Sequence, residues 1–425
     1  MKSRTISKKD VPTIQFVLQQ GNPHEWLLNH VEKDQFIQGF GLDTEQGHHV
    51  LFQTEALWQV SQGEGVTIAV IDSGVDSNHY SLTGAVLPGF DFINNLAEQR
   101  DENGHGTAVA SLIASRNRLY GLAPKAKILP LRVLDENNTG SLFDLSRALL
   151  YAADLLPGMS NPHPADIINL SLGQAAYSPL LHDVIRRITD KNIIIIAAAG
   201  NSGQGSLSYP AAYPEVFSVG AALVSRGKWS KQPFSNYGAG LNLLAPLGGV
   251  AQTNHGYFGE SLPLSAHLDN ETRRFGGTSA AAAMISGVVA LLVSAGADSR
   301  EALGILETSS TDIDQPGWDS KTGFGIVNPS ASLRAVRGEQ ATDKETIAIQ
   351  ILDAESLQEH GFYRGDSRQT LSVVPGHYQL NIWLDRNGDG LKQADEPSQR
   401  TTSQYLAAES TTHLDILLHT PDGSY

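Results

Sequence analysis

The chain of 425 residues contains no cysteine. This absence excludes disulfide scaffolds, thiol catalysis, cysteine-based zinc sites and cysteine-ligated clusters. Basic residues are also scarce, since 30 Lys and Arg stand against 45 Asp and Glu and the formal net charge is −15. Because a duplex-DNA-binding protein usually carries a basic face, we expect no nucleic-acid partner.

Long apolar runs are missing as well. No run reaches the ~20 residues that cross a bilayer, so we expect no membrane span. Residues 1–26 carry positive charge but lack the apolar core of a secretory signal peptide, because Gln15 and Gln19 interrupt their only apolar stretch. The chain is therefore predicted to be cytoplasmic or exported by a non-classical route, and the sequence leaves the compartment open.

Between about 51 and 337, apolar runs alternate with helical patterns. The runs are rich in Val and Ile and lie at 66–71, 126–134, 165–172, 192–199 and 215–222, and helical patterns occupy 141–156 and 179–191. Continuous apolar runs are typical of strands buried on both faces. The alternation predicts an α/β domain with a parallel sheet and helices on both faces, whose site lies at the carboxyl ends of the strands.

The two ends of the chain have other patterns. Residues 1–50 show strand, helix and strand patterns in turn, with the helix over 23–32. A polar linker at 338–344 precedes segments in which apolar and polar residues alternate, which is typical of a small all-β sandwich. We predict three parts: an N-terminal segment 1–50, an α/β domain 51–337 and a β-sandwich domain 338–425.

Three polar residues stand where chemistry is expected in such a domain. Asp72 follows the run 66–71, His105 opens an apolar helix, and Ser279 opens another. Singly, each has an ordinary interpretation as a turn or cap residue. Together they indicate nucleophilic catalysis, because a serine hydroxyl needs an imidazole to take its proton and a buried carboxylate to orient that imidazole.

The motifs Asp-Ser-Gly at 72–74, His-Gly-Thr at 105–107 and Gly-Thr-Ser at 277–279 resemble those of the subtilases, the subtilisin-like serine peptidases. The resemblance covers about 51–337. It implies a serine endopeptidase that acts on peptides or proteins through an acyl-enzyme. In that chemistry Asp72 orients, His105 acts as general base and then acid, and Ser279 is the nucleophile. We expect a monomer. We also expect that Gly106, which has no side chain, lets the backbone crowd His105.

The same resemblance assigns further residues. The segment Ala-Ala-Ala-Gly-Asn-Ser-Gly at 197–203 implies that Asn201 donates to the oxyanion of the tetrahedral intermediate, although Asn201 could instead serve the following turn. Substrate-binding residues implied in this way are Gly140, Ser141, Ser171, Leu172, Gly173, Ala199, Gly200 and Ser208. These segments contain no acidic residue, so we predict an apolar or aromatic P1 preference.

The chain also departs from the family. Ala283 replaces the usual proline four residues after the nucleophile, which leaves open a peptide ligase or cyclase in which an amine replaces water. A catalytically silent binding protein is a further alternative. The segment between His105 and Ala123 is too short to carry over the family's calcium loop. Residues 1–50 are shorter than a typical inhibitory prodomain and are compatible with a reduced one.

A second candidate site lies near the C-terminus. Residues 385–396 fit the calcium-loop pattern D-x-[DN]-x-[DN]-G-x₅-E, with the oxygen ligands Asp385, Asn387, Asp389 and Glu396. An acidic hairpin turn is the alternative. Because the preceding residues have a strand pattern, the segment resembles an EF-type loop in a transthyretin-like β-sandwich. We predict Ca²⁺ there and no cofactor for the hydrolytic chemistry.

Overall fold

A computed structural model of the chain describes residues 54–225, 228–247 and 262–338, together with His49, Phe52 and strands elsewhere. The chain divides into two compact units. One is Leu42–Gln340, and the other combines Met1–Gly41 with Ala341–Tyr425. The first unit contains the three motifs at Asp72, His105 and Ser279.

An eight-stranded sheet forms the centre of the first unit. Its strands are β1 (Thr67–Asp72), β2 (Phe90–Asp91), β3 (Lys127–Arg132), β4 (Ile167–Leu170), β5 (Ile194–Ala198), β6 (Phe217–Ser225), β7 (Lys228–Lys231) and β8 (Leu243–Pro246). The order is β7-β6-β5-β4-β1-β3-β2, and β8 pairs with β6. All pairs are parallel except β6 with β7. The predicted parallel sheet is confirmed, and each of the five apolar runs overlaps a strand.

Seven described α-helices accompany this sheet. They are α1 (Thr54–Trp58), α2 (His105–Ala114), α3 (Leu142–Ala152), α4 (Pro179–Thr189), α5 (Gly277–Ser294), α6 (Ser299–Thr308) and α7 (Pro329–Val336). The two predicted helices begin as their sequences favour. Ser141 accepts a hydrogen bond from the Asp144 N–H at the start of α3, and Ser178 accepts one from the Leu181 N–H at the start of α4.

The helices cover both faces of the sheet, as predicted. On one face α2 and α5 pack with Ile68 and Val70 of β1 in a buried apolar cluster. On the other face α3 and α4 pack with Ala69 and Ile71 of the same strand. Because successive strand residues point to opposite faces, a strand covered twice must be apolar throughout. This explains why the strand sequences are continuous apolar runs.

Helix α5 crosses the interior of the unit. It alone among the described helices is long and apolar enough to span a membrane by length and composition, and 83% of it is buried inside the protein. Its apolar character therefore serves packing. Small residues at 280–283 let it lie close to its neighbours, and Ala283 is fully buried in a helix that runs unbroken from Gly277 to Ser294.

A hairpin precedes α5 and lies against α2. It consists of β9 (Leu264–Ala266) and β10 (Thr272–Arg274), which are joined through the 3₁₀ turn Leu268–Asn270. The N–H of Ala266 donates to the hydroxyl of Ser111 in α2 at 2.9 Å. Short strands at Arg116–Asn117 and Leu119–Tyr120, and at Ala251–Thr253 and Gly256–Phe258, form two further pairs, and a 3₁₀ turn occupies Tyr80–Leu82.

In the second unit the structure describes strands alone. They are Thr13–Leu18, Glu25–Leu28, Thr346–Asp353, Glu359–Gly365, Thr370–Ser372, Gly376–Asp385, Ser398–Arg400, Gln404–Leu406 and Asp415–Leu417. The helix predicted over 23–32 is wrong at Glu25–Leu28, which pairs antiparallel with Thr13–Leu18 and with Asp415–Leu417. Pairing with a strand on each side, one of them near the other end of the sequence, overrides the local helical pattern. The two-sheet sandwich over 338–425 stays a prediction.

Candidate active site

Asp72 is the last residue of β1 and is fully buried. Its Oδ1 accepts a hydrogen bond from the N–H of Ser73 at 2.7 Å. A parallel sheet gathers the ends of its strands at one edge, so the segments after β4 and β5 lie on the same side as Asp72. The strand therefore supplies a rigid, buried carboxylate at the edge where the site was expected.

His105 is the first residue of α2 and faces that carboxylate. Its Nδ1 lies 2.8 Å from Oδ1 and 3.0 Å from Oδ2 of Asp72. Because an ionised carboxylate only accepts, Nδ1 carries the proton, and Nε2 of the neutral ring is left as an acceptor. Gly106 leaves no room for a side chain, since a β-carbon there would overlap the carbonyl oxygen of Gly74.

Two opposing effects set the pKa of His105. Burial lowers it, but the charge and hydrogen bond of Asp72 and the charge of Asp101 outweigh burial, and the pKa lies above the usual value. Phe275 covers the ring edge-on, with the ring centroids 5.2 Å apart. The imidazole is thus fixed on one side by a carboxylate and on the other by an aromatic ring.

Ser279 lies in the first turn of α5 and is 8% exposed. Its hydroxyl donates to the carbonyl oxygen of Ser171 at 3.1 Å. Within the described part of the chain, no hydrogen bond joins this hydroxyl to His105, although both residues line one cleft. Catalytic hydrogen bonds are often formed only when substrate is bound. If the Ser279 side chain rotates, its hydroxyl gives up the hydrogen bond to the carbonyl oxygen of Ser171 and forms one to the imidazole of His105.

Asn201 follows β5 and is held by the residue before the serine. Its Oδ1 accepts the N–H and the hydroxyl of Thr278, each at 2.9 Å. With the oxygen end engaged, the Nδ2 end of the amide is available as a donor. Thr278 also accepts the N–H of Gly200 at 3.1 Å, so one side chain ties the segment after β5 to the start of α5.

The cleft has a volume of about 740 Å³. Seven of the eight residues predicted to bind substrate line it: Gly140, Ser141, Ser171, Leu172, Gly173, Gly200 and Ser208. Ala199 does not line the cleft and is fully buried, whereas its neighbours Ala198 and Gly200 line the cleft. The backbone N–H of Ala199 donates to Val219.

The walls of the cleft are neutral. No Asp, Glu, Lys or Arg lies among the described residues that line it, and His105 is the one histidine among them. Four leucines add apolar surface that was not predicted: Leu134, Leu142, Leu145 and Leu181. Leu142 and Leu145 stand three residues apart in α3, so their common face could have been read from the helical spacing.

Sequence reasoning also missed polar residues next to the motifs. Ser73 and Thr278 are the middle residues of two motifs, and no role is assigned to either from the sequence alone. Asp101 precedes His105 by four residues and accepts the N–H of Thr107 in α2. An acidic residue just before a helix favours its amino end, which was the available signal.

Among the described residues, no group of three or more His, Asp or Glu side chains could hold a metal ion. The predicted calcium loop lies outside them. Asp385 ends the strand Gly376–Asp385, but its side chain is not described, and Asn387, Asp389 and Glu396 are beyond it. The next strand, Ser398–Arg400, pairs antiparallel with Gly376–Asp385.

Comparison with known proteins identifies the family. The model of the subtilase family matches residues 63–325, more than half of the chain. A thermophilic serine proteinase from Bacillus sp. (strain AK1) is 33% identical over 301 residues, covering 69% of this chain and 67% of that protein. Thermitase from Thermoactinomyces vulgaris is 32% identical over 62% of this chain and 88% of its own length.

Further relatives agree with this. Subtilisin Savinase from Lederbergia lenta is 33% identical over 64% of this chain and 92% of its own length. A solved structure of a protease from Pseudoalteromonas arctica PAMC 21717 superposes with a TM-score of 0.60 at 27% identity, over 70% of this chain and 98% of that chain. The chain therefore belongs to the subtilase family and is a serine-type endopeptidase.

Proposed function

We propose that Asp72, His105 and Ser279 hydrolyse peptide bonds through an acyl-enzyme. The observation that carries the proposal is the hydrogen bond from His105 Nδ1 to the buried Asp72, with His105 and Ser279 on one cleft. In the first step Ser279 Oγ attacks the peptide carbonyl carbon while His105 Nε2 takes the hydroxyl proton. His105 then gives that proton to the leaving amine, and the C–N bond breaks.

The second half of the reaction uses the same groups. Water attacks the acyl carbon, its proton passes to Nε2, and the ester bond to Ser279 breaks with return of the proton to Oγ. In both halves a negative charge develops on the carbonyl oxygen. We propose that Asn201 Nδ2 and the backbone N–H of Ser279 donate to it. The bonds from Thr278 to Asn201 Oδ1 support this, because they orient the amide before substrate arrives.

A fluorophosphonate probe tests these roles. The full-length chain is treated with the probe, and its intact mass and the labelled peptide are measured. We expect one adduct, located on Ser279, and no adduct on Ser279→Ala. Ser294→Ala is the matched control at the other end of α5, and it should label like the parent. An adduct that persists on Ser279→Ala would overturn the assignment.

The substrate preference proposed for this peptidase is an apolar or aromatic P1 residue. The cleft that contains Ser279 is also lined by residues 171–173, Ala198, Gly200 and Ser208. A lysine or arginine side chain buried there would meet no carboxylate, which costs free energy. Cleavage of a peptide library by the full-length chain should yield leucine, phenylalanine and similar residues at P1. Cleavage mainly after basic residues would refute the preference.

We also propose that the loop 385–396 binds Ca²⁺ within an all-β domain at 338–425. Its donors are carboxylate and amide oxygens, which Ca²⁺ prefers. The strands before and after the loop pair antiparallel, which supports a loop between strands and not between helices. The ion would offset repulsion among the carboxylates.

Thermal melting of the full-length chain in Ca²⁺, Mg²⁺ or EDTA tests this site. At a hundredfold excess of Ca²⁺ over Kd, linkage predicts about 2.7 kcal/mol of stabilisation of the unit that holds the loop. Asp389→Ala should lose the calcium-dependent shift and keep its peptidase activity. Equal melting in Ca²⁺ and EDTA would show that the loop is an ordinary acidic turn.

For residues 1–50 we propose a reduced prodomain that the peptidase removes. The purified parent chain should then lose this segment, whereas Ser279→Ala keeps it. Intact mass measures both chains. Full-length mass for both variants would contradict self-processing.

A further inference from the structure

Asp101 is a second carboxylate buried beside the catalytic histidine. It is 4% exposed and accepts five hydrogen bonds. Oδ1 accepts the hydroxyl of Ser73 at 2.9 Å and the N–H groups of Asn103 and Gly104 at 3.0 and 2.8 Å. Oδ2 accepts the N–H and the hydroxyl of Thr107 at 3.0 and 2.6 Å. The carboxylate thus holds the chain on both sides of His105.

Ser73 connects this carboxylate to the catalytic one. Its hydroxyl donates to Asp101 and accepts the N–H of Gly106 at 3.0 Å. Its own N–H donates to Asp72 Oδ1 at 2.7 Å. One buried residue therefore bridges the two carboxylates and the residue that follows His105. A shift of Asp101 would be transmitted to Asp72 and to the imidazole together.

The segment that carries Asp101 is itself fixed. The N–H of Val75 donates to the carbonyl oxygen of Gln99 at 3.1 Å. The buried guanidinium of Arg132 contacts Glu102 at 2.7 Å and the carbonyl oxygen of Arg100 at 3.3 Å. These contacts hold the backbone on either side of Asp101, so its carboxylate is a rigid support for the start of α2.

The charges around this centre are few. Asp72 and Asp101 face His105, and both raise its pKa against the effect of burial. From the hairpin, His267 lies against Gly104, and burial and Arg273 lower the pKa of that histidine. From β3, Arg132 is bound to Glu102 and to Asp91. The imidazolium that forms during catalysis therefore has the carboxylates of Asp72 and Asp101 nearby. The cationic side chain of Arg132 is already paired with other carboxylates.

We propose that Asp101 is a positioning residue of the peptidase, which holds His105 in line with Asp72 and stabilises the imidazolium by its charge. The proposal rests on the proposed role of His105 as general base. A purely structural role for Asp101, as a remote cap of α2, would lower stability alone. The two roles differ in whether the pH dependence of activity changes when the charge is removed.

The test compares Asp101→Asn with Asp91→Asn in the full-length chain. Asp91 is the matched control, because it is also buried, accepts backbone N–H groups at 2.9 and 3.0 Å, and has no hydrogen bond to the catalytic residues among those described. Asp91 also pairs with Arg132 at 3.4 Å, and its replacement leaves Arg132 its shorter contact of 2.7 Å with Glu102. For Asp101→Asn we expect kcat to fall about 10- to 100-fold with KM little changed. The acid limb of kcat/KM should move to lower pH, because the imidazolium loses a stabilising charge. Asp91→Asn should keep the parent's acid limb.

A folded Asp101→Asn with the parent's kcat and acid limb would overturn the proposal. If Asp101→Asn does not fold, Ser73→Ala takes its place, since it cuts the bridge between the carboxylates and leaves both charges. It should lower kcat at constant KM, and an unchanged kcat would overturn the proposal equally. Failure of the proposed function would give a different result from failure of this proposal, because Ser279→Ala would then retain hydrolysis or fluorophosphonate labelling.

Discussion

The helices that carry His105 and Ser279 begin at the same cleft, but their first turns are fixed by different forces. The start of α2 is held by a buried polar network around Asp101 and Ser73. The start of α5 leads into a helix whose residues from Thr278 to Leu292 are all buried. The first turn of α5 is thus held by burial together with the neutral hydrogen bonds of Thr278, whereas the first turn of α2 is held by hydrogen bonds to a buried carboxylate.

This difference has a physical reason. The base gains a positive charge during each half-reaction, so its surroundings must include oriented acceptors and negative charge. The nucleophile needs an exact position and a donor for the oxyanion, which a packed helix start and Asn201 can provide. Substitutions around α5 should therefore separate chemistry from stability more cleanly than those around α2.

The largest effect is expected for Ser279→Ala. Hydrolysis should fall by a factor on the order of 10⁶, the magnitude typical of losing the nucleophile from this type of triad. The free energy of unfolding should stay close to the parent's, because packing along α5 and not the hydroxyl holds the helix. Peptide hydrolysis and thermal melting measure the two effects. If Ser279→Ala kept activity within tenfold of the parent, Ser279 at the start of α5 would not be the nucleophile.

Asn201→Ala should have the next largest effect. We expect kcat to fall roughly 10²- to 10³-fold with KM nearly constant, because the amide would donate only to the developing oxyanion. Steady-state kinetics with one peptide substrate measure both constants, and Asn117→Ala, at an exposed position, is the control. A rise in KM at constant kcat would reassign Asn201 to substrate binding.

The polar surroundings of His105 predict that the rate of labelling depends on pH. His105 must be neutral to accept the proton, and its pKa lies above the usual value. The rate of fluorophosphonate labelling should therefore fall as the pH drops through that raised pKa. A midpoint below the usual histidine pKa would contradict the influence of the two carboxylates.

Proton binding to His105 is linked to folding, and this linkage gives the direction in which the free energy of unfolding changes with pH. The raised pKa means that the folded chain binds the proton on His105 more tightly than the unfolded chain does. This contribution to the free energy of unfolding is fully present below the unfolded pKa and is lost as the pH rises through the folded pKa. Melting of parent and His105→Ala across this range measures the difference. Identical pH dependence of melting in both would show that His105 contributes nothing.

The smallest effect is expected for Gly287→Ala in the packed part of α5. A β-carbon there would lie 2.8 Å from the β-carbon of the buried Leu122, and such overpacking costs about 1–3 kcal/mol. Activity should stay within a few-fold of the parent. Gly304→Ala in α6 is the matched control, because nothing lies within 4 Å of its added β-carbon, and it should stabilise the chain by about 0.5–1 kcal/mol. Equal melting of the two variants would contradict tight packing around α5.

Much of the α/β unit could be predicted because its signals are local. Continuous Val- and Ile-rich runs marked the strands, and the helical patterns at 141–156 and 179–191 marked α3 and α4. The candidate residues Asp72, His105 and Ser279 could be found because each follows or opens such an element. The strand at Glu25–Leu28 could not, since its residues also suit a helix and one of its two partners, Asp415–Leu417, is distant in the chain.

The sequence by itself determined the order of strands and helices along the chain and supplied the side chains of the proposed triad, because buried strands require apolar runs and nucleophilic catalysis requires these side chains. Only the tertiary structure decided which neighbours support them. It joined Thr278 to Asn201, 77 residues away, and Ser73 to Asp101, 28 residues away. It also turned Ala199 into the core while its neighbours face the cleft. Such contacts depend on how separate segments meet at the sheet edge, and no local pattern encodes that meeting.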